Sequence, residues 1–121
     1  MVAEIKINYM KYFKESEFVM GDENVFHKMD ADLLHRLDLL RELVSEPLSI
    51  NSSYRNQEYN KSVGGSKTSQ HLKGKAVDLH CNNGTLRAKI VRYALELDLT
   101  CGVAKTFVHI DNRDNQIVFT Y

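Results

Sequence analysis

Three side chains stand out by type and placement. His71 lies in a stretch rich in Gly and Ser, while Asp78 and His109 each lie within a short alternating run. Imidazole nitrogens and carboxylate oxygens are the donors a divalent metal takes, and a catalytic zinc ion commonly has three such protein ligands and a position open to water. Residue type and spacing alone leave the ordinary alternative open. A His and an Asp seven positions apart are common, and most histidines hold no metal. Cys81 and Cys101 allow at most one bridge and form no Cys-x-x-Cys pattern, so both read as reduced, partly buried thiols.

The elements around these residues follow from periodicity. Leu33, Leu34, Leu37, Leu40 and Val44 make one apolar helical face over about 30–45, with Asp30 placed to cap its start and Pro47 to end it. Residues 48–52 read as a strand, and 56–62 as a brief helix broken by Gly64-Gly65. In 76–81, Val77 and Leu79 alternate with Ala76, Asp78 and His80, the pattern of a half-buried strand. Leu86, Ile90, Tyr93, Ala94 and Leu97 predict a helix over about 85–98. In 107–111, Val108 and Ile110 alternate with Phe107, His109 and Asp111, and 112–115 looks like a hairpin turn into a last strand at 117–121. The expected fold is α+β, a small antiparallel sheet with helices packed on one face.

With 121 residues, no repeat, no low-complexity tract and no Gly/Ser/Pro linker, the chain reads as one domain over 1–121. The 43% hydrophobic and 26% charged content is that of a soluble globular protein. Sixteen Lys and Arg offset sixteen Asp and Glu, which argues against a nucleic-acid partner, because phosphate binding normally leaves a basic excess. No apolar run approaches the roughly 20 residues needed to span a bilayer, so no membrane partner is expected. Met1-Val2-Ala3-Glu4-Ile5-Lys6 lacks the basic and apolar regions of a signal peptide, giving the expectation of a protein that is cytoplasmic as synthesised.

The run Ser69-Gln70-His71-Leu72-Lys73-Gly74-Lys75-Ala76-Val77-Asp78 resembles the Ser-x-His-x-x-Gly-x-Ala-x-Asp signature of the zinc D-alanyl-D-alanine carboxypeptidase family at every fixed position. That family includes vancomycin-resistance dipeptidases and phage endolysin peptidases, and shares its fold with the signalling domain of hedgehog proteins. Ser52-Ser53-Tyr54-Arg55, Asn60-Lys61-Ser62-Val63-Gly64-Gly65 and Phe107-Val108-His109-Ile110-Asp111 resemble further family segments, and the likeness runs from the 12–18 region to the last strand.

The resemblance implies one zinc ion held by His71, Asp78 and His109, with the sheet carrying the site. It implies that Arg55 binds a substrate carboxylate or carbonyl oxygen, a role suited to a guanidinium fork; the plain alternative is a surface pair with Glu58. Ser69 would bind substrate or orient His71, or simply cap its loop, and Gly74 would permit a tight turn between ligands. One departure stands out. Many members place a Glu or Asp three residues before the last ligand as general base, and here that residue is Thr106, which cannot take up a proton as a carboxylate does. Asp111, two residues beyond His109 on the same strand face, is the nearest substitute, with a supporting or turn-capping role as its equal alternative. His80 reads as structural, and His27 and His35 are assigned to no site. Lys105 and Arg113 suit acidic stem-peptide groups or, equally, solvated surface charge.

The function implied is zinc-dependent hydrolysis of an amide bond in peptidoglycan stem peptides, by carboxypeptidase or endolysin-type endopeptidase action. The protein would be a monomer that reaches the cell wall after release. The alternative is a zinc-containing peptidoglycan-binding module with little or no activity; a metal-free structural component would make three intact ligands accidental.

Overall fold

The computed structural model describes residues 10–121. The segment Met1–Lys6, from which the absence of a signal peptide was read, lies outside the described residues. A short antiparallel pair, β1 (Val19–Met20) and β2 (Glu23–Asn24), precedes the first helix. Helix α1 spans Ala31–Val44. Asp30 caps it as expected, its carboxylate accepting the Leu33 N–H at 3.1 Å. Ser45 closes it in the left-handed conformation, two residues before Pro47. The five apolar positions of its face are all buried.

Strand β3 (Ile50–Ser52) leads to the short helix α2 (Gln57–Ser62), and a 3₁₀ turn at Gln70–Lys73 leads to β4 (Ala76–His80). Helix α3 (Gly84–Glu96) is followed by β5 (Thr100–Val103), β6 (Phe107–Asp111) and β7 (Val118–Thr120). Five strands form a sheet in the order β3-β4-β6-β5-β7. Val77, Leu79, Cys101, Val108 and Ile110 join the α1 leucines with Ile90 and Ala94 of α3 in the apolar core. The helices therefore cover one sheet face, and the other is left for the site. The fold is α+β, and no helix among the described residues is long and apolar enough to cross a membrane.

Three expectations are corrected. Residues 112–115 do not make a hairpin: β6 is already antiparallel to β4 on one edge and β5 on the other, so the last strand passes on and pairs with β5 in parallel. Strand β5 itself was not anticipated. Strand β4 is buried on both faces from Ala76 to Leu79, with only His80 exposed, because the chain between β3 and β4 folds over the polar side. Cys81 and Cys101 are free, and both are fully buried rather than partly so.

Candidate metal centre

Sheet register builds the centre. Ser52 pairs with Asp78, Asp78 with His109, His109 with Gly102, and Gly102 with Phe119, so one residue from each strand forms a row across the polar face. His71 is brought over this row by the 3₁₀ turn. Ser69 caps that turn, its hydroxyl accepting the His71 N–H at 3.1 Å. Gly74 ends it at φ +69°, and a Cβ there would overlap the Lys28 carbonyl, so the tight turn between His71 and Asp78 requires glycine.

Both imidazoles are held by their outer nitrogens. Nδ1 of His71 lies 2.7 Å from the Ser53 carbonyl oxygen, which can only accept, so this nitrogen carries the proton and donates it. Nε2 of His109 lies 2.7 Å from Asp111 Oδ2 and donates to it. The inner nitrogens, Nε2 of His71 and Nδ1 of His109, stand 3.2 and 3.1 Å from Asp78 Oδ1. The three residues are buried, and their donor atoms lie within 4.8 Å of one another. Two donors bonded at about 2.0 Å to one tetrahedral ion lie about 3.3 Å apart, and the observed separations match that spacing. Outer nitrogens fixed by acceptors and lone pairs turned inward are what a metal site requires of its histidines, so these residues could hold a metal ion.

A second layer fixes the carboxylates. Arg55 donates from Nη2 to Asp78 Oδ2 at 3.2 Å, from Nε to Ser52 Oγ at 3.0 Å and from Nη1 to Asn60 Oδ1 at 3.2 Å. Its partner is thus Asp78 and not Glu58. Asn60 is itself buried and donates to the Ser66 carbonyl at 2.9 Å. A Cβ at Gly65 would overlap the Asn60 amide, so the Asn-x-x-Val-Gly-Gly run keeps Arg55 in place. Asp111 is wholly buried, bound by His109 on one side and by Arg113 on the other through Nε at 2.9 Å and Nη2 at 2.6 Å.

Electrostatics follow from these contacts. Burial alone would raise the Asp78 carboxyl, but in the metal-free protein the two imidazoles against it, His109 foremost, prevail and hold it well below the usual carboxylate range. Asp111, raised by burial, is brought down to about 2 by His109 and Arg113. Burial would lower His109, yet its bonds to Asp111 and Asp78 raise it in the metal-free protein.

The centre forms the floor of a cleft of about 690 Å³. His71, Asp78, His109, Arg55 and Ser69 line it together. Asp111 does not; it sits behind His109 and meets the ring's outer nitrogen. Its geometry favours the supporting role over that of base, because the imidazole stands between its carboxylate and the inward-facing donors. Thr106 is exposed and outside the cleft, its carbonyl accepting the Cys81 N–H. His80, His27, His35 and Lys105 are exposed and likewise outside it.

Sequence reading missed Phe107, Phe119 and Tyr121, which wall the cleft with Arg113. Phe119 packs on the His109 ring with centroids 5.5 Å apart, and Tyr121 on Phe107 at 4.9 Å. The signal was present in the alternation Ile117, Phe119, Tyr121, three same-face residues of a strand. Partial desolvation against the cleft wall and the nearby Asp78 charge shift the exposed Tyr121 phenol upward, so it is a proton donor near neutrality.

No curated protein matches the chain. A family model described as Peptidase M15 matches residues 11–111, a span that takes in the cap of the first helix, the Arg55 and Asn60 network, all three metal-ligand candidates and Asp111. This chain belongs to the Peptidase M15 family.

Proposed function

We propose that the chain is a zinc-dependent peptidase that hydrolyses an amide bond in peptidoglycan stem peptides, with His71, Asp78 and His109 as ligands of one zinc ion. The observation that carries this reading is the convergence of two imidazole lone pairs and one carboxylate oxygen at the floor of an open cleft, each fixed from behind. Two neutral imidazoles and a carboxylate suit zinc, which when bound would polarise a carbonyl and acidify a water. Arg55 neutralises the second oxygen of Asp78, and the remaining hydrogens of its Nη atoms are suited to a substrate carbonyl or carboxylate. Ser69 holds the backbone that carries His71. Asp111 acts as a positioning residue, keeping the His109 ring oriented and its Nδ1 free of a proton when metal is present.

One observation favours a second reading, a zinc-containing binding module. Among the described residues lining the cleft, Asp78 carries the only side-chain carboxylate, and it is committed to Arg55 and the histidines. With no carboxylate left to accept a proton, turnover is expected to fall below that of base-carrying family members by roughly two to four orders of magnitude, the usual worth of a general base. Metal analysis of protein purified without chelator or histidine tag, together with mass spectrometry of stem-peptide digests, tests both readings. Stoichiometric zinc with slow hydrolysis, both lost in His71→Ala, Asp78→Ala and His109→Ala, is the expected result. Zinc with peptide binding and no hydrolysis selects the module, and zinc retained in all three variants refutes the ligand assignment.

A further inference from the structure

We propose that Arg113 forms a carboxylate-binding subsite on the β7 side of the cleft, so that the protein selects peptides carrying a free carboxylate close to the bond it acts on. The proposal deepens the peptidase reading and rests on it for the identity of the ligand as a substrate.

The guanidinium is committed along one edge only. Nε and Nη2 donate to the two oxygens of Asp111, and the Arg113 backbone N–H adds a further bond to Oδ1 at 3.0 Å. Both hydrogens of Nη1 and the second hydrogen of Nη2 are left over, and one from each nitrogen makes up the end-on fork of the group. Nη1 has no protein acceptor among the described residues. The side chain is 28% exposed and lines the cleft.

Position and rigidity make this fork a recognition element. Arg113 is clamped by Asp111 and lies over the Phe119 ring, 5.5 Å from its centroid, so little side-chain freedom remains to be lost on binding. Arg55 donates to Asp78 of β4 and Arg113 lies over Phe119 of β7, so the cleft that holds the metal-ligand candidates carries two guanidinium groups with separate anchors. Among the described residues, no free side-chain carboxylate of the lining opposes a carboxylate near Arg113, since Asp78 is paired and Asp111 lies behind the guanidinium. The Tyr121 hydroxyl, on the same wall, is a donor and so compatible with that ligand.

Zinc-loaded protein should be offered stem peptides in sets that differ only by carboxylate against carboxamide, once at the terminal position and once at a side chain. The same sets should be given to Arg113→Gln and Arg113→Lys, with zinc content measured in each variant because Asp111 and His109 lie behind this residue. In the unsubstituted protein one carboxylate should lower KM about ten- to hundredfold over its amide, the range for a hydrogen bond to a charged group, with kcat little changed. The set that shows the effect tells a terminal from a side-chain source. In Arg113→Gln the ratio should fall to near one, and Arg113→Lys should restore part of it. A carboxylate preference that is absent in the unsubstituted protein, or undiminished in zinc-replete Arg113→Gln, overturns the proposal while leaving hydrolysis intact. Calorimetric titration with the same sets separates the two readings: preferential carboxylate binding that depends on Arg113, without cleavage, upholds the subsite and removes the peptidase.

Discussion

Gly102 offers the sharpest test of how the third ligand candidate is held. It stands in the row between His109 and Phe119, and a Cβ added there would lie 2.5 Å from Cε2 and Cζ of Phe119 and 3.1 Å from Cβ of His109. Ordinary carbon contacts are about 3.5–4.0 Å, so in Gly102→Ala the Phe119 ring must retreat by about 1 Å or more. His109 cannot yield instead, since it is buried between His71, Asp78 and Asp111. Overpacking of this kind costs about 1–3 kcal/mol, and a ring pushed toward the cleft no longer backs His109. Loss of such support weakens metal sites by about 10–100-fold. Thermal unfolding and competition against a chromogenic chelator, run on Gly102→Ala, Phe119→Ala and the double variant, measure both effects. Because the methyl group harms by displacing the ring, the double variant should be no worse than Phe119→Ala alone. Wild-type stability and metal affinity in Gly102→Ala, or fully additive losses in the double variant, would refute the reasoning.

Two further outcomes follow from the contacts of the centre. Asp111→Asn should keep the fold yet weaken metal binding by about 10–100-fold, because an amide is a poorer acceptor for His109 Nε2–H and leaves Arg113 without its countercharge; unchanged affinity by chelator competition would count against the positioning role. In metal-free protein the depressed Asp111 carboxyl, about 2 against 3.8, contributes stability that is present above pH 4 and lost as pH falls toward 2. The raised His109 contributes stability that is present below its ordinary 6.5 and lost as pH climbs through its folded value. Metal binding runs the other way, since ligating imidazole must be neutral. The gain in Tm on adding zinc should therefore grow from pH 5.5 to 7.5, and a flat gain across that range would exclude histidine ligation.

The parts of the fold legible from residues were those where local chemistry and tertiary position agree. Helix α1 has five core positions at helical spacing, an aspartate at its start and a proline beyond its end, and all three signals were met. Polarity along β4 was read correctly as a two-sided pattern but wrongly as exposure, because a polar face can be covered by a folded loop as completely as an apolar one. Strand β5 has only Thr100-Cys101-Gly102-Val103 to announce it, with a glycine that lowers any strand reading and is there to admit the Phe119 ring. The turn residues after β6 suggested a local hairpin, yet pairing depends on which strand edges remain free, and that is a property of the whole sheet.

At the site, the donor types lay in the Ser69–Asp78 run and in the strand around His109, but which nitrogen faces inward depends on partners remote in the chain. Ser53 is 18 residues from His71 and fixes its tautomer. Asp111 is the instructive case, because spacing along the strand bears on both of its alternatives. Residues two apart on a strand stand about 6.6 Å from each other, and an imidazole extending from the first bridges much of that gap. The carboxylate of the second then meets the ring's nearer nitrogen and leaves the other turned away from it. In this chain that nearer nitrogen is Nε2 of His109, and the one turned away is Nδ1, which faces Asp78. A carboxylate at this spacing beside a histidine on one strand is thus suited to orient that ring, and reaching past it to a water in the cleft would require breaking that bond and the three from Arg113 as well.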